Sequence, residues 1–166
     1  MDKLNWTNSH FIKTGDVARL AGLLGEIVRS TTQFDPAQDY LEAIVPLYQP
    51  RAKTLKEMAE QAAFFLHDAE TLPYDGAAVA KFLTPEIREH LAVMASRMEA
   101  LPAFDHKSLE DMAAAYLEET GLKFKALAQP IRVAITGTTM SPGLFETMEV
   151  LGRERTLARF RKALTL

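Results

Sequence analysis

The sequence predicts an all-α fold, and three observations support this prediction. Apolar residues recur at intervals of three and four along most of the chain, which is the period of one buried helical face. Serine, threonine or aspartate stands before many of these segments, and glycine or proline stands after them. Alternation of apolar and polar residues over a useful length does not occur, so nothing predicts a sheet.

The first part of the chain predicts four helices. They cover residues 2–13, 15–29, 35–45 and 54–67. Thr14 is expected to cap the second of these helices, and Asp35-Pro36 is expected to open the third. Pro46 should end that third helix, because proline lacks the backbone N–H that continues the hydrogen-bond ladder. Thr54 and Glu57 form a capping box that predicts the start of the fourth.

The second part predicts a further series of helices, over residues 79–82, 84–101, 108–120, 123–135, 142–151 and 153–164. Thr84-Pro85 is a typical helix start, and Gly121 is a typical helix end. Pro130 should interrupt one helix, and Gly152 should separate the last two. Residues 68–77 are polar and rich in turn formers, which places a boundary there. We therefore expect two helical subdomains packed end to end, residues 1–72 and residues 73–166.

Composition limits the class of protein. The chain has no cysteine, which excludes disulfides and thiolate metal sites. No apolar run approaches the roughly 20 residues of a membrane span, and no signal-peptide pattern opens the chain, so a cytoplasmic protein is expected. The net charge is −3, but residues 121–166 carry +5 and residues 1–120 carry −8. A basic contact face and an ordinary solvated basic helix both explain this distribution.

Motifs for catalysis are missing from the sequence. The histidines lie in four separate segments, as His10, His67, His90 and His106, without the spacing of a metal site. The strings G-x-S-x-G, G-x-G-x-x-G and the P-loop pattern do not occur. We therefore predict no catalytic residue, no metal ligand and no cofactor-binding residue in this chain.

The segment 128–145 offers the most groups that could bind a partner. It contains Arg132 and a loop with the hydroxyls of Thr136, Thr138, Thr139 and Ser141. Ser141 followed by Pro142 predicts a new helix whose N-terminus lies under this loop. Such groups suit a polar, flat or anionic partner, although a plain helix–loop–helix connection explains the same pattern.

The amino-acid sequences of several segments resemble those of a known protein family. Residues 128–137 read A-Q-P-I-R-V-A-I-T-G, residues 141–146 read S-P-G-L-F-E, and residues 151–159 read L-G-R-E-R-T-L-A-R. Residues 2–6 read D-K-L-N-W, and residues 51–57 read R-A-K-T-L-K-E. Together they resemble the C-terminal anticodon-binding region of bacterial glutamyl-tRNA synthetases, class I ligases that charge tRNA with glutamate. The matches follow the family's order over nearly the whole chain, and the D-K-L-N-W opening suggests a piece of a longer protein.

The resemblance implies roles for individual residues. Arg51, in the R-x-x-T-L pattern, would read the third anticodon base and separate tRNA(Glu) from tRNA(Gln), unless it only solvates a helix start. The residues implied to line the pocket for the first anticodon base are Arg132, Ser141, Pro142 and Leu144. The residues implied either to contact phosphate or only to solvate the last helix are Arg153, Arg155 and Arg159.

The resemblance also implies that chemistry happens elsewhere. The family's active site lies in an upstream domain that uses ATP and magnesium, and its H-I-G-H and K-M-S-K-S type signatures are missing here. The expected partners are the anticodon loop of tRNA(Glu) and the upstream catalytic domain of the same polypeptide. We expect a monomer without a membrane partner. A stand-alone helical protein-interaction module is the main alternative, and a small-molecule enzyme is a third.

Overall fold

The computed structural model describes residues 2–32 and 34–166, with side chains described from Asn8 onward. All secondary structure in this part of the chain is helical, which confirms the all-α prediction. The side chains of the D-K-L-N-W segment lie outside the described residues, as does Met1. The chain divides into two compact units between Leu66 and His67. None of the described helices has the length and the low charge that crossing a bilayer requires.

The described part of the first unit contains four helices and a 3₁₀ turn. These are α1 (Asp2–Thr14), α2 (Val17–Thr31), α3 (Gln38–Tyr48), α4 (Leu55–Ala62) and the turn Ala63–Leu66. Helix α2 packs on α3 and α4. Its stripe of Leu20, Leu24 and Val28 is buried, as the spacing of three and four predicts. Phe65 has no exposed surface and closes this core.

Several helix boundaries in the first unit differ from the prediction. Helix α3 begins at Gln38 with Ala37 as its N-cap, and not at Asp35-Pro36. Thr14 ends α1, and Asp16 caps α2 by accepting a 2.9 Å hydrogen bond from the backbone N–H of Arg19. Pro46 lies inside α3 and does not end it. Val45 and Tyr48, on either side of Pro46, are both buried. The apolar burial around the proline therefore outweighs the one backbone hydrogen bond that it removes.

The second unit contains five helices. These are α5 (Gly76–Phe82), α6 (Pro85–Glu99), α7 (His106–Thr120), α8 (Phe124–Thr136) and α9 (Leu144–Ala163). Helix α9 packs against α6, α7 and α8, so it forms the centre of this unit. Gly152, at φ 77° and ψ 165°, breaks α9 into two segments, as predicted. Pro130 does not interrupt α8, because it is buried within a continuous apolar helix.

Two boundaries in the second unit also differ. Asp105, not Ser108, caps α7, and it accepts a 2.8 Å hydrogen bond from the backbone N–H of Ser108. That hydrogen bond lowers the pKa of Asp105. The chain divides six residues earlier than the 72/73 boundary expected from composition. Glu70 explains part of this difference, because its carboxylate pairs with Lys162 of α9 at 2.9 Å.

Candidate nucleic-acid interface

Arg132 is the one cationic side chain of the 128–145 segment, and a hydrogen bond fixes its position. It is half-buried on α8, and its Nε donates a 2.9 Å hydrogen bond to Ser141 Oγ. Burial lowers the pKa of Arg132, but an arginine remains a cation under ordinary conditions. Among the described residues it forms no ion pair. The guanidinium is therefore held at one nitrogen, and its two terminal nitrogens have no carboxylate partner in this part of the chain.

Ser141 has a different role from the predicted one. Helix α9 begins at Leu144 with Gly143 as its N-cap, two residues later than a Ser141 cap would place it. The Ser141 hydroxyl accepts from Arg132 and donates to the carbonyl of Pro142 at 2.9 Å, so it is not available to cap a helix. The structure thus brings Arg132 and Ser141 together as predicted, but through a direct side-chain contact.

The N-terminus of α9 is not open to an anion. A Cβ placed on Gly143 would lie 2.1 Å from Oε2 of Glu146, so this carboxylate already covers the first turn. A carboxylate there satisfies the helix dipole and repels phosphate. The segment therefore suits the polar edge of a neutral group better than an anion.

Several side chains expected to face a partner are buried instead. Leu144 is only 5% exposed, and Pro142 is buried beside it. The Leu144 side chain therefore belongs to the core, and its implied place in the pocket for the first anticodon base stays a prediction. Thr136 is also buried, and its hydroxyl donates to the carbonyl of Arg132 at 2.8 Å. The exposed tip of the loop is Met140, at 81%.

Tyr74 and Asp75, which we call the strap, are hydrogen-bonded to the C-terminal end of α8, where this loop begins. Tyr74 donates its hydroxyl to the carbonyl of Ala134 at 2.9 Å, and the backbone N–H of Asp75 donates to the carbonyl of Gly137 at 2.9 Å. Gly137 adopts φ 76°, the left-handed conformation of a helix C-cap. The sequence did not single out Tyr74 or Asp75, although aspartate before glycine is a recognisable cap signal.

Ionisation of Tyr74 should loosen the strap at high pH. Burial raises the pKa of Tyr74 to about 12, above the ordinary value of about 10. The protonated Tyr74 hydroxyl therefore contributes its full share of the free energy of unfolding below pH 10. This contribution is lost as the pH rises toward 12. In urea titrations between pH 8 and pH 12, we expect Tyr74→Phe to be less stable at pH 8 by about 1 kcal/mol. The stability gap between the two proteins should then narrow above pH 10, and a constant gap would contradict the assignment.

The three arginines of α9 that have predicted roles differ in their surroundings. Arg159 has no exposed surface, and its terminal nitrogens donate to the carbonyls of Ile135 and, at 2.6 Å, His67. Its predicted roles, phosphate contact or solvation of the helix, are therefore wrong. Arg153 is half-buried and donates to the carbonyls at the end of α6 and just beyond it, at 3.0 Å and 2.6 Å, so it too serves the fold. Arg155 is exposed, and its contact with phosphate stays a prediction.

Arg51 lies in the first unit, between α3 and α4. Its backbone N–H donates to the carbonyl of Tyr48 at 2.9 Å, and its side chain is exposed. Thr54 caps α4 three residues later, as the capping box predicts, with a 3.0 Å hydrogen bond from Glu57. No ion pair involving Arg51 occurs within the described ranges. The arginine is therefore presented on a backbone held by two helix ends.

The sequence matches a family model described as an anticodon binding domain, over residues 19–164. This range covers most of the chain and contains both Arg51 and Arg132. The chain belongs to the anticodon-binding domain family.

Curated relatives of this anticodon-binding domain are glutamate–tRNA ligases. The protein from Geotalea uraniireducens is 43% identical over 163 residues, which is 98% of this chain and 34% of the relative. The protein from Desulfosudis oleivorans is 44% identical over 165 residues, 99% of this chain and 35% of the relative. The chain thus spans about a third of the length of these ligases. The resemblance to the anticodon-binding region of glutamyl-tRNA synthetases is confirmed.

Solved structures agree on the fold. A glutamate–tRNA ligase from Elizabethkingia meningosepticum superposes with a TM-score of 0.86 at 20% identity, over 97% of this chain and 31% of that one. A glutamate–tRNA synthetase from Elizabethkingia anophelis gives a TM-score of 0.79 at 19% identity, over 98% of this chain and 31% of that one. At this identity the likeness establishes the helical fold of the domain.

Proposed function

We propose that this chain reads the anticodon loop of tRNA(Glu) as the C-terminal part of a glutamate–tRNA ligase. The observation that carries the proposal is the state of Arg132, whose Nε is fixed on Ser141 while its terminal nitrogens have no ion pair among the described residues. A guanidinium held this way can donate two parallel hydrogen bonds without first leaving a carboxylate. In this proposal Arg132 and Ser141 contact the first anticodon base.

Arg51 is proposed to read the third anticodon base. The unpaired Watson–Crick edge of cytosine offers two acceptors and one amino donor, so a guanidinium can donate to its acceptor side. Guanine presents donors at the corresponding positions and would leave the arginine without partners. This chemistry would separate tRNA(Glu), which ends its anticodon in cytosine, from tRNA(Gln), which ends it in guanine.

The chemistry of the ligase would belong to the rest of the polypeptide. Among the residues that the structure describes, no group of three His, Cys, Asp or Glu side chains could hold a metal ion. The proposal assigns magnesium and ATP to an upstream catalytic domain, as the family resemblance implies. The proposal further makes the parent protein a cytoplasmic monomer, with this domain supplying the choice of tRNA.

The Arg51 assignment predicts a loss of base discrimination. We expect the chain to bind a synthetic hairpin with the anticodon loop of tRNA(Glu) about tenfold more tightly than the same hairpin with guanine as third base, since one bidentate contact is worth roughly 1–3 kcal/mol. Arg51→Ala should bring the ratio of the two affinities close to one. Fluorescence anisotropy with labelled hairpins measures both affinities.

Lys53→Ala is the matched control, because Lys53 is an exposed cation two residues away. It should weaken both hairpins equally and preserve their ratio. If Arg51→Ala behaves like Lys53→Ala, Arg51 contacts phosphate or solvent and does not read the base. If the unaltered chain binds neither hairpin, the alternative of a stand-alone protein-interaction module gains support.

A further inference from the structure

A cluster of three aromatic rings, one of them exposed and two half-buried, lies at the beginning of three helices of the second unit. The rings of Phe124 and Phe145 are 5.8 Å apart between centroids and tilted by 39°, and the His106 ring meets Phe145 edge-on at 5.9 Å. Phe124 is 45% exposed, although it begins an otherwise strongly apolar helix. We call His106, Phe124 and Phe145 the aromatic platform.

The charges around the platform are arranged unevenly. Lys123 and Lys125 flank Phe124, both are exposed, and neither forms an ion pair within the described part of the chain. On the other side, His106 lies 3.7 Å from the carboxylates of Glu110 and Glu146. A phosphate would therefore be attracted to the lysine side and repelled from the glutamate side, which leaves the ring of Phe124 for an uncharged flat group.

The platform continues from the Arg132–Ser141 pair. Ser141 lies beside Arg132, and Phe145, four residues further on, lies beside Phe124, so the chain from 141 to 145 runs back along α8. Arg132 and Phe124 are eight residues apart on α8, which corresponds to about 12 Å at 1.5 Å per residue. A stacked single strand, at ~3.4 Å per nucleotide, covers this distance in about three to four nucleotides.

We propose that the exposed ring of Phe124 stacks on an unpaired RNA base, about three to four nucleotides from the base that Arg132 contacts. Proteins bind single-stranded RNA by stacking its bases on aromatic side chains while lysines contact its phosphates. Here the ring of Phe124 lies between two exposed lysines, Lys123 and Lys125. This proposal rests on the proposed function, because the base stacked on Phe124 belongs to the same RNA strand as the base that Arg132 contacts. It adds a contact that selects for an unpaired base and not for a particular sequence.

The test uses the hairpin with the anticodon loop of tRNA(Glu), in which each unpaired position in turn is replaced by 2-aminopurine. We expect binding to quench the fluorescence of one or two positions by stacking. Phe124→Leu should remove that quenching and weaken binding about fivefold to tenfold, because stacking on an aromatic ring is lost while apolar contact remains. Phe124→Trp should preserve both signals. Phe34→Leu is the control, since Phe34 is 42% exposed and lies outside the platform.

The outcomes separate this inference from the proposed function. If Arg132→Ala weakens binding while Phe124→Leu changes neither affinity nor quenching, the stacking role is overturned and the proposed function stands. If the unaltered chain does not bind the hairpin, both fail, and the platform is then free for a protein partner. Should Phe124→Leu fold poorly, Lys123→Gln and Lys125→Gln provide a second measurement. Each should lower the salt dependence of log affinity by about 0.7, and unchanged slopes would count against the proposal.

Discussion

Gly137→Ala is expected to destabilise the second unit by about 3 kcal/mol. A Cβ at this position would lie 2.0 Å from the carbonyl oxygen of Pro73, far inside the contact distance. The backbone of Pro73 would have to move, which costs roughly 1–3 kcal/mol in a packed region. The left-handed φ of 76° adds about 1–2 kcal/mol for any residue with a side chain.

Gly121→Ala is the matched control for this prediction. Gly121 also caps a helix, at φ 70°, but a Cβ there meets nothing within 4 Å. Gly121→Ala should therefore cost only the backbone term, about 1 kcal/mol. Amide hydrogen exchange in α8 measures the local free energy of opening for both variants. Equal protection in the two variants would show that Pro73 and Gly137 do not approach as closely as described.

Arg159→Met is expected to cost the second unit about 3 kcal/mol or more. The guanidinium donates to the carbonyls of Ile135 and His67, and hydrogen bonds to charged groups contribute roughly 1.5–3 kcal/mol each. Methionine fills much of the same volume, so the loss reports mainly on two carbonyls left without their donors. The effect on RNA binding should follow the effect on α8, because Ile135 precedes the loop that carries Ser141.

Arg161→Met, two residues further along α9, provides the comparison. Arg161 pairs with Glu99 at 3.2 Å, and both side chains are more than 60% exposed. Exposed pairs of this kind contribute roughly 0–1 kcal/mol, so this variant should unfold almost as the unaltered chain does. Hydrogen exchange in α8, with urea unfolding of the whole chain, distinguishes the two. An Arg159→Met protein as stable as Arg161→Met would mean that the buried guanidinium contributes no net stability.

Much of the fold could be predicted because its signals are local. The capping of α4 by Thr54, the start of α6 at Thr84-Pro85, the glycine end of α7 and the break at Gly152 all depend on a few neighbouring residues. Two failures arose where distant packing overrules a local signal. Pro46 and Pro130 lie inside helices because the residues around them are buried in a core. The sequence next to a proline does not predict that burial.

The candidate interface shows the same division. The family motifs led directly to Arg51, Arg132 and Ser141, and the latter two are in contact in the structure. No sequence signal distinguished Arg159 from Arg155, because every arginine of this helix could be a solvated charge. Their different burial depends on which side of α9 packs against α8. Because α9 is broken at Gly152, its apolar residues do not line up on one side over its whole length, and the sequence does not reveal the packed side.

The sequence by itself determined the helical class, most helix ends and the family, because capping chemistry, apolar period and motif wording are properties of the chain. The tertiary structure decided which side chains remain accessible to a partner. It buried Leu144 and Arg159, covered the N-terminus of α9 with Glu146, and left Phe124 exposed between two lysines. Availability depends on what the remaining helices cover, and that is set by packing between residues far apart in the sequence.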